Sequence, residues 1–541
     1  MNFKQIKMTR GFVPVVFWLV VLLGIGIAFF SSAPAERLLA MRTFGLGFCA
    51  FGIALPLGVL TAWACTGKGW VSRIVLLGTV ASLFIPMFIH VSAWDAAFGK
   101  LGWLTSVQGQ ILVPLIPGWW AASWIHGIAA SSQVAIIFLV GLSFGGRIFE
   151  EQALLDTSSL RVFWSVTVVR LWPLGVLAFL WVVVSCSREI AVTDLYQIGT
   201  LAEQIYLGYS LGGNPAGVAV LEGGFGGVSF GLTLSLLAVL VALSMVLFFA
   251  MTQMEYEAGV FRAVRTNRSG VVKNLAGVGL IVITFLIPIG NVVLRACFYV
   301  RPIEGVPTQG YSLVQCFSAI RRACFDYQDE FIWSAIIALV SATMILFLAT
   351  LVSAVGRRLG WIQVLFASTL AISFALPGPL LGMAIASATG TLEGPWFVWL
   401  FNYTVFAPVL ANFIFCWPLG ALVVWFVFRK IPEDALESAH VEGAGKLTRY
   451  LLLGIKANWL PLLGCWLITF ACCFGELSAS QIVRPAGMDT VPRKMLGDLH
   501  AGVNELTAGI TIVIVLVIVG ISAVGWWVVN LNHRLSERKY S

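Results

Sequence analysis

Apolar runs close to the roughly 20 residues that cross a bilayer recur along the whole chain, separated by short polar stretches. They run from Phe12 to Phe30, Phe44 to Cys65 and Val71 to Trp94, with a fourth ending near Gly145. Leu171 to Cys186, Val228 to Met251, Leu275 to Ala296 and Phe331 to Val355 continue the series. Two more precede Arg429, one starts near Leu460 and the last ends near Asn530. The pattern predicts an all-α polytopic membrane protein with about 12 transmembrane helices. Ser31 to Ala35 has the small residues of a signal-peptidase site, but the run before it exceeds the roughly 7 to 15 residues of a signal core. Trp119, Trp120 and Trp124 read as an interfacial belt.

The spacing of landmarks adds an internal repeat. Trp70 and Trp361 each follow a basic turn and stand 291 residues apart, and Pro86 matches Pro377 at the same offset. Glu151 with Asp156 matches Glu437 with Glu442 at 286, and Glu189 matches Glu476 at 287. Six crossings per half keep the copies in one orientation, predicting parallel repeats: 1–262 with a polar loop at 146–170, and 263–541 with a polar loop at 429–461.

Composition sharpens the class. With 59% hydrophobic and 11% charged residues in 541, an ordinary soluble globule is excluded. The net charge of +8 does not imply nucleic acid as a partner, because the charges gather in the turns. Segments assigned to the inside hold 22 of the 33 lysines and arginines but 10 of the 25 acids, which puts both termini in the cytoplasm.

The second polar loop opens with Pro432 at a helix start and with Glu433 and Asp434 in its first turn, where the helix dipole favours negative charge. Ser438 and Ala439 are small enough for close approach by another surface, and Gly443 suits a left-handed helix end. Lys446, Arg449 and Lys456 then face the headgroup region. Glu437-Ser438-Ala439, three residues, then Gly443 resembles the EAA loop of ABC-transporter importer permeases, with Ile455-Lys456 where that family usually has Leu-Pro. The first copy, Glu151-Gln152-Ala153 with Asp156, has Thr157 in place of the glycine, and a β-branched residue resists positive φ. The wider match, Glu189 to Leu195, Thr200 to Tyr206, Gly475 to Ser480, Pro485 to Thr490 and Leu499 to Gly502, looks like the fused iron(III)-type permeases.

That resemblance implies a type I ABC importer permease fold. It also implies two ATPase subunits at the loops, an external solute-binding protein, and import of a small solute, ferric iron first and thiamine, phosphonate, sulfate or polyamine as alternatives. The chain would lie in the inner membrane of a bacterium, would not itself be an enzyme and would bind no cofactor, ATP being used by the partner. Thr66-Gly67-Lys68-Gly69 lacks the spaced glycine and the Ser or Thr of a P-loop. An ion-coupled secondary transporter of 12 helices is the competing class, but it does not account for the long polar loops.

Three acids are candidates for a pathway or gate: Glu189, Asp194 and Glu476. Ionisable groups at membrane depth are costly and often functional. Equally, Glu189 and Glu476 could cap backbone amides in re-entrant turns. No metal-ligand set is recognisable, so a metal site is undetermined, and His90, His126 and His500 read as packing or interfacial residues. In the segment Cys297 to Glu330, an oxidising compartment could join Cys316 to Cys324.

Overall fold

The computed structural model of the chain describes residues 34–67, 69–99, 101–105, 116–143, 152–153, 155–210, 230–253, 270–303, 306–356, 360–391 and 394–540. The expected first crossing, Phe12 to Phe30, and Glu151 of the first polar loop lie outside these residues. Within them the chain is an all-α polytopic membrane protein apart from one hairpin. Eight helices are long and apolar enough to cross a membrane, or 11 if each of three bent helix pairs is one span.

In chain order the first helices are α1 (Pro34–Cys65), α2 (Trp70–Leu83), α3 (Met87–Phe98), α4 (Gly118–Ser143), α5 (Val169–Arg188), α6 (Ala191–Leu195), α7 (Leu201–Ser210) and α8 (Phe230–Gln253). There follow α9 (Val271–Ile281), α10 (Ile287–Cys297), α11 (Leu313–Asp326), α12 (Gln328–Gly356), α13 (Gly360–Ala375), α14 (Gly378–Thr391), α15 (Pro395–Tyr403) and α16 (Phe406–Arg429). The last are α17 (Glu433–Val441), α18 (Trp459–Phe474), α19 (Val491–Ala501) and α20 (Glu505–Tyr540).

The expected straight crossing from Val71 to Trp94 is instead a pair, α2 and α3, bent by 107°. Pro86 is the cause: it has no N–H to donate back, and it disfavours helical geometry in the residue before it. Its own backbone is extended, at φ −62° and ψ 154°, and caps α3. Pro377 sits in the matching break between α13 and α14, bent by 100°. Among the described residues π-helical turns occur at Phe163–Val168 before α5, at Tyr450–Ile455 before α18 and at Val282–Leu286 between α9 and α10.

Packing interlocks distant parts of the sequence. The helix α8 lies on α13, while α10 and α20 both lie on the bent α2–α3 pair. One buried cluster joins Phe88, Ile125 and Ile198 to Val292, Met495 and Ile514. Another joins Trp181 and Phe248 to Phe366 and Trp425. Lipid is as apolar as these side chains, so close packing rather than water exclusion holds such helices together. Small residues make that closeness possible: a Cβ on Gly58 would stand 2.6 Å from Val134, and one on Gly420 would stand 2.7 Å from Ile345.

The hairpin is a departure from the all-helical expectation. Strands β1 (Phe298–Ile303) and β2 (Val306–Tyr311) pair antiparallel, with Phe298 opposite Tyr311. The sequence-based disulfide does not fit either. Cys316 and Cys324 are eight residues apart on α11, a rise of about 12 Å, whereas a disulfide needs Cα atoms within about 7 Å. Cys316 is buried, Cys324 is exposed, and every cysteine is free.

Candidate coupling loops and polar chamber

Between α16 and α18 the chain leaves the apolar body. None of the α17 side chains is buried, and Glu437, Ser438 and Glu442 are exposed, with Ala439 half-buried. Pro432 caps the start at φ −60° and ψ 140°. Gly443 ends it at φ +82°, a left-handed conformation that glycine adopts without steric cost. The Ala444 amide donates to Ala439 O at 2.9 Å and the Gly443 amide to His440 O at 3.0 Å, the paired bonds of a Schellman motif. The Ser438 hydroxyl donates to Asp434 O at 2.8 Å, so its outer surface is smooth and small.

In the first loop Gln152 and Asp156 are exposed while Ala153 and Thr157 are half-buried. The Thr157 amide donates to Ala153 O at 3.1 Å, an ordinary helical bond. Thr157 does not take the left-handed turn; among the described residues Gln197 is the only non-glycine with positive φ. The loops nevertheless share one unusual property. Leu155 is 87% exposed and Val441 88% exposed, 286 residues apart, and these are the two most exposed large hydrophobic side chains described. The exits differ. After its π turn the second loop passes through a 3-10 turn, Lys456–Asn458, where the Asn458 side-chain amide donates to Leu453 O at 2.7 Å. Pro461 then falls inside α18, while the first loop runs on directly into α5.

Glu189 and Glu476 both fold back on the chain that follows them. Glu189 accepts from the amides of Ala191 at 2.6 Å and Val192 at 3.2 Å. Glu476 accepts from Ala479 at 2.6 Å and Ser480 at 3.1 Å. For Glu189 the carboxylate stands in for the backbone acceptors that the start of a helix lacks, and for Glu476 it serves the amides of a non-helical turn. Each cap faces the other half of the sequence. Before Glu189, Arg188 donates to Phe415 O at 2.9 Å and lies 3.6 Å from the Phe415 ring centroid. Before Glu476 stands Gly475, where any Cβ would overlap Pro86.

Beyond the caps lie α6 and α7 in the first half of the sequence and α19 in the second. The carboxylate of Asp194, on α6, stands 3.3 Å from Nε2 of His500, on α19. The other ring nitrogen, Nδ1, is 2.8 Å from Leu496 O. Two acceptors around one imidazole favour the doubly protonated ring, and the bond to Asp194 leads in raising the His500 pKa above its ordinary value. His500, expected as a packing or interfacial residue, is half exposed and also contacts Asp194, while His90 and His126 are buried. Next to His500 opens a polar chamber of about 320 Å³, to which α7 contributes Tyr206, the turn after Glu476 contributes Gln481 and Asp489, and α19 contributes Arg493, Lys494 and Asp498.

No protein-family model and no curated protein matches the chain. What the geometry can do must be read from its own residues. Among the described residues no three His, Cys, Asp or Glu side chains converge to hold a metal ion. The loops offer small, polar surfaces, each tipped by an exposed apolar side chain. The chamber offers charged and hydrogen-bonding groups from both halves of the sequence. Sequence reasoning passed over Arg493 and Lys494; a short helix with four ionisable residues, Val491–Ala501, in so apolar a chain was the available signal.

Proposed function

We propose that the chain is the membrane-spanning permease of a binding-protein-dependent ABC importer, moving a small solute by alternating access as separate ATPase subunits close and part. The observation that carries this reading is the matched pair Leu155 and Val441. Each is an apolar side chain almost wholly bared on a polar loop, at equivalent positions in the two copies. Acidic neighbours, Asp156 in one loop and Glu437 and Glu442 in the other, make an acyl-chain environment unfavourable for these loops. A groove on a soluble subunit is the fitting environment, entered as an amphipathic helix enters its partner.

The finer architecture belongs to the same proposal. The two Pro-broken helix pairs, the matched π turns before α5 and α18 and the two glutamate caps support parallel six-helix repeats, 1–262 and 263–541, in a type I importer fold with 12 spans. Both termini would be cytoplasmic in a bacterial inner membrane, with one ATPase copy at each loop and the solute-binding protein on the opposite side. Glu189, Asp194 and Glu476 would border the pathway, the two glutamates by shaping its turns and Asp194 by tying the copies together. Ferric iron remains the first solute on motif resemblance, and thiamine, phosphonate, sulfate or polyamine are the alternatives. A secondary transporter is the competing class, and no structural observation favours it.

Purification of the chain together with its genomic neighbours tests the proposal. An ATPase subunit that co-purifies, and whose hydrolysis rises with solute-loaded binding protein, is expected. Ion-gradient-driven uptake by the chain alone, with no associated ATPase, would contradict it.

A further inference from the structure

We propose that the chamber between α7 and α19 is a binding site for a small oxyanion, a carboxylate or phosphate that also bears a proton-carrying oxygen. This rests on the permease reading only for its role in transport; the site itself is built from residues of this chain. About 320 Å³ is within the range of small-molecule sites and holds a small, highly oxygenated anion.

The charges of the wall are already partly committed, and what is left over defines the ligand. Asp489 is held by both Arg484 and Arg493. Asp498 accepts from the Tyr327 hydroxyl at 3.1 Å, and Asp194 is taken by His500. Lys494 lines the chamber, is exposed and makes no ion pair among the described residues, so its ammonium is the uncommitted charge. Two further polar atoms of wall residues, the donor Arg493 Nε and the acceptor Gln481 Oε1, are buried without a hydrogen-bond partner among the described residues. Buried polar atoms are rarely left unpaired, so such atoms beside a cavity point to a partner from outside the chain. A cation and a guanidinium N–H call for an oxyanion, and a carboxamide oxygen beside them calls for a ligand hydroxyl.

The carboxylates do not make the chamber a cation site. Asp489 has two guanidinium groups on it, and Asp498 is oriented by a phenol, so neither offers a free pair of oxygens. A metal could enter only inside an anionic shell, with the shell's oxygens making the contacts. The shared chemistry is the oxyanion, whether it arrives alone or wrapped around a ferric ion.

The test uses the purified full chain in detergent, without ATPase or binding protein, titrated calorimetrically with inorganic phosphate, citrate and ferric citrate. At least one is expected to bind, and Lys494→Gln is expected to weaken it about tenfold or more, the loss typical of a hydrogen bond to a charged group. Lys494→Arg should recover most of the affinity, and Gln481→Leu should weaken citrate. Because Lys494 is exposed, the ligand-free variants should elute and melt as the parent does, separating lost binding from lost folding. Binding of free citrate or phosphate shows that the anion itself is the ligand, and binding of ferric citrate but of neither free anion shows that the anion binds as a metal's shell. Absence of binding by all three, or equal affinity in Lys494→Gln, overturns the proposal. That failure is distinct from failure of the permease reading, which is decided at the loops.

Discussion

Replacing Gly443 by alanine isolates the left-handed turn that aims the second loop. At φ +82° a Cβ crowds the following carbonyl, which costs an L-residue about 1–2 kcal/mol. No other atom lies within 4 Å of that Cβ, so the penalty falls on the backbone turn and not on packing. A shift of that size lowers the population of the aimed turn about 5- to 30-fold. The bonds from Ala444 to Ala439 and from Gly443 to His440 weaken together, and Val441 loses its fixed direction. Reconstituted with the ATPase subunit that the proposed function calls for, Gly443→Ala should lose transport-coupled hydrolysis by a factor in that range. Gly443→Asn should lose less, because asparagine tolerates the left-handed region. Thr157→Ala should stay within a few-fold of the parent, since Thr157 already sits in an ordinary helical turn. The melting temperature of the solubilised chain should barely move in any of the three. Equal losses at Gly443 and Thr157 would refute the asymmetry, and so would a Gly443→Ala protein with normal coupling.

Three further outcomes follow from the caps, the close approach and the ionic tie. Glu476→Ala strands two buried amides, each worth about 1–3 kcal/mol, and should lower the melting temperature clearly, with Glu476→Gln intermediate; an unchanged melt would show that the amides find other acceptors. Gly475→Ala forces a methyl group into Pro86 and should cost about 1–3 kcal/mol, read by chemical or thermal unfolding; a neutral result would mean that the α2–α3 break yields freely. Asp194 raises the folded-state pKa of His500, so their tie adds stability fully present below the ordinary histidine pKa of about 6.5 and lost as pH rises through the raised value. The difference in melting temperature between the parent and His500→Gln should therefore shrink from pH 6 toward alkaline pH; a difference that grows would reverse the assignment.

Much of the helical layout was legible because bilayer crossing demands long apolar runs, and each expected crossing after the first has a helical counterpart in the described chain. Pro86 and Pro377 were legible as a matched pair but not as sharp bends, because a proline inside a hydrophobic run can kink a helix or end it, and neighbouring packing decides which. Gly443 was readable from its type alone, since few residues accept its geometry. The β1–β2 hairpin was missed among glycine, proline and charged residues, where alternation spans only six residues per strand. The His500 tie and the chamber were not legible at all. Asp194 and His500 are more than 300 positions apart, and only the interlocking of α6 with α19 brings them together.

The most direct test of the central claim places a photo-crosslinking amino acid at Leu155 and, separately, at Val441 in otherwise native membranes. Both positions should capture the same P-loop ATPase subunit, identified by mass spectrometry, with yields that change on addition of ATP. Capture of lipid alone, or of the ATPase at neither position, would contradict the account.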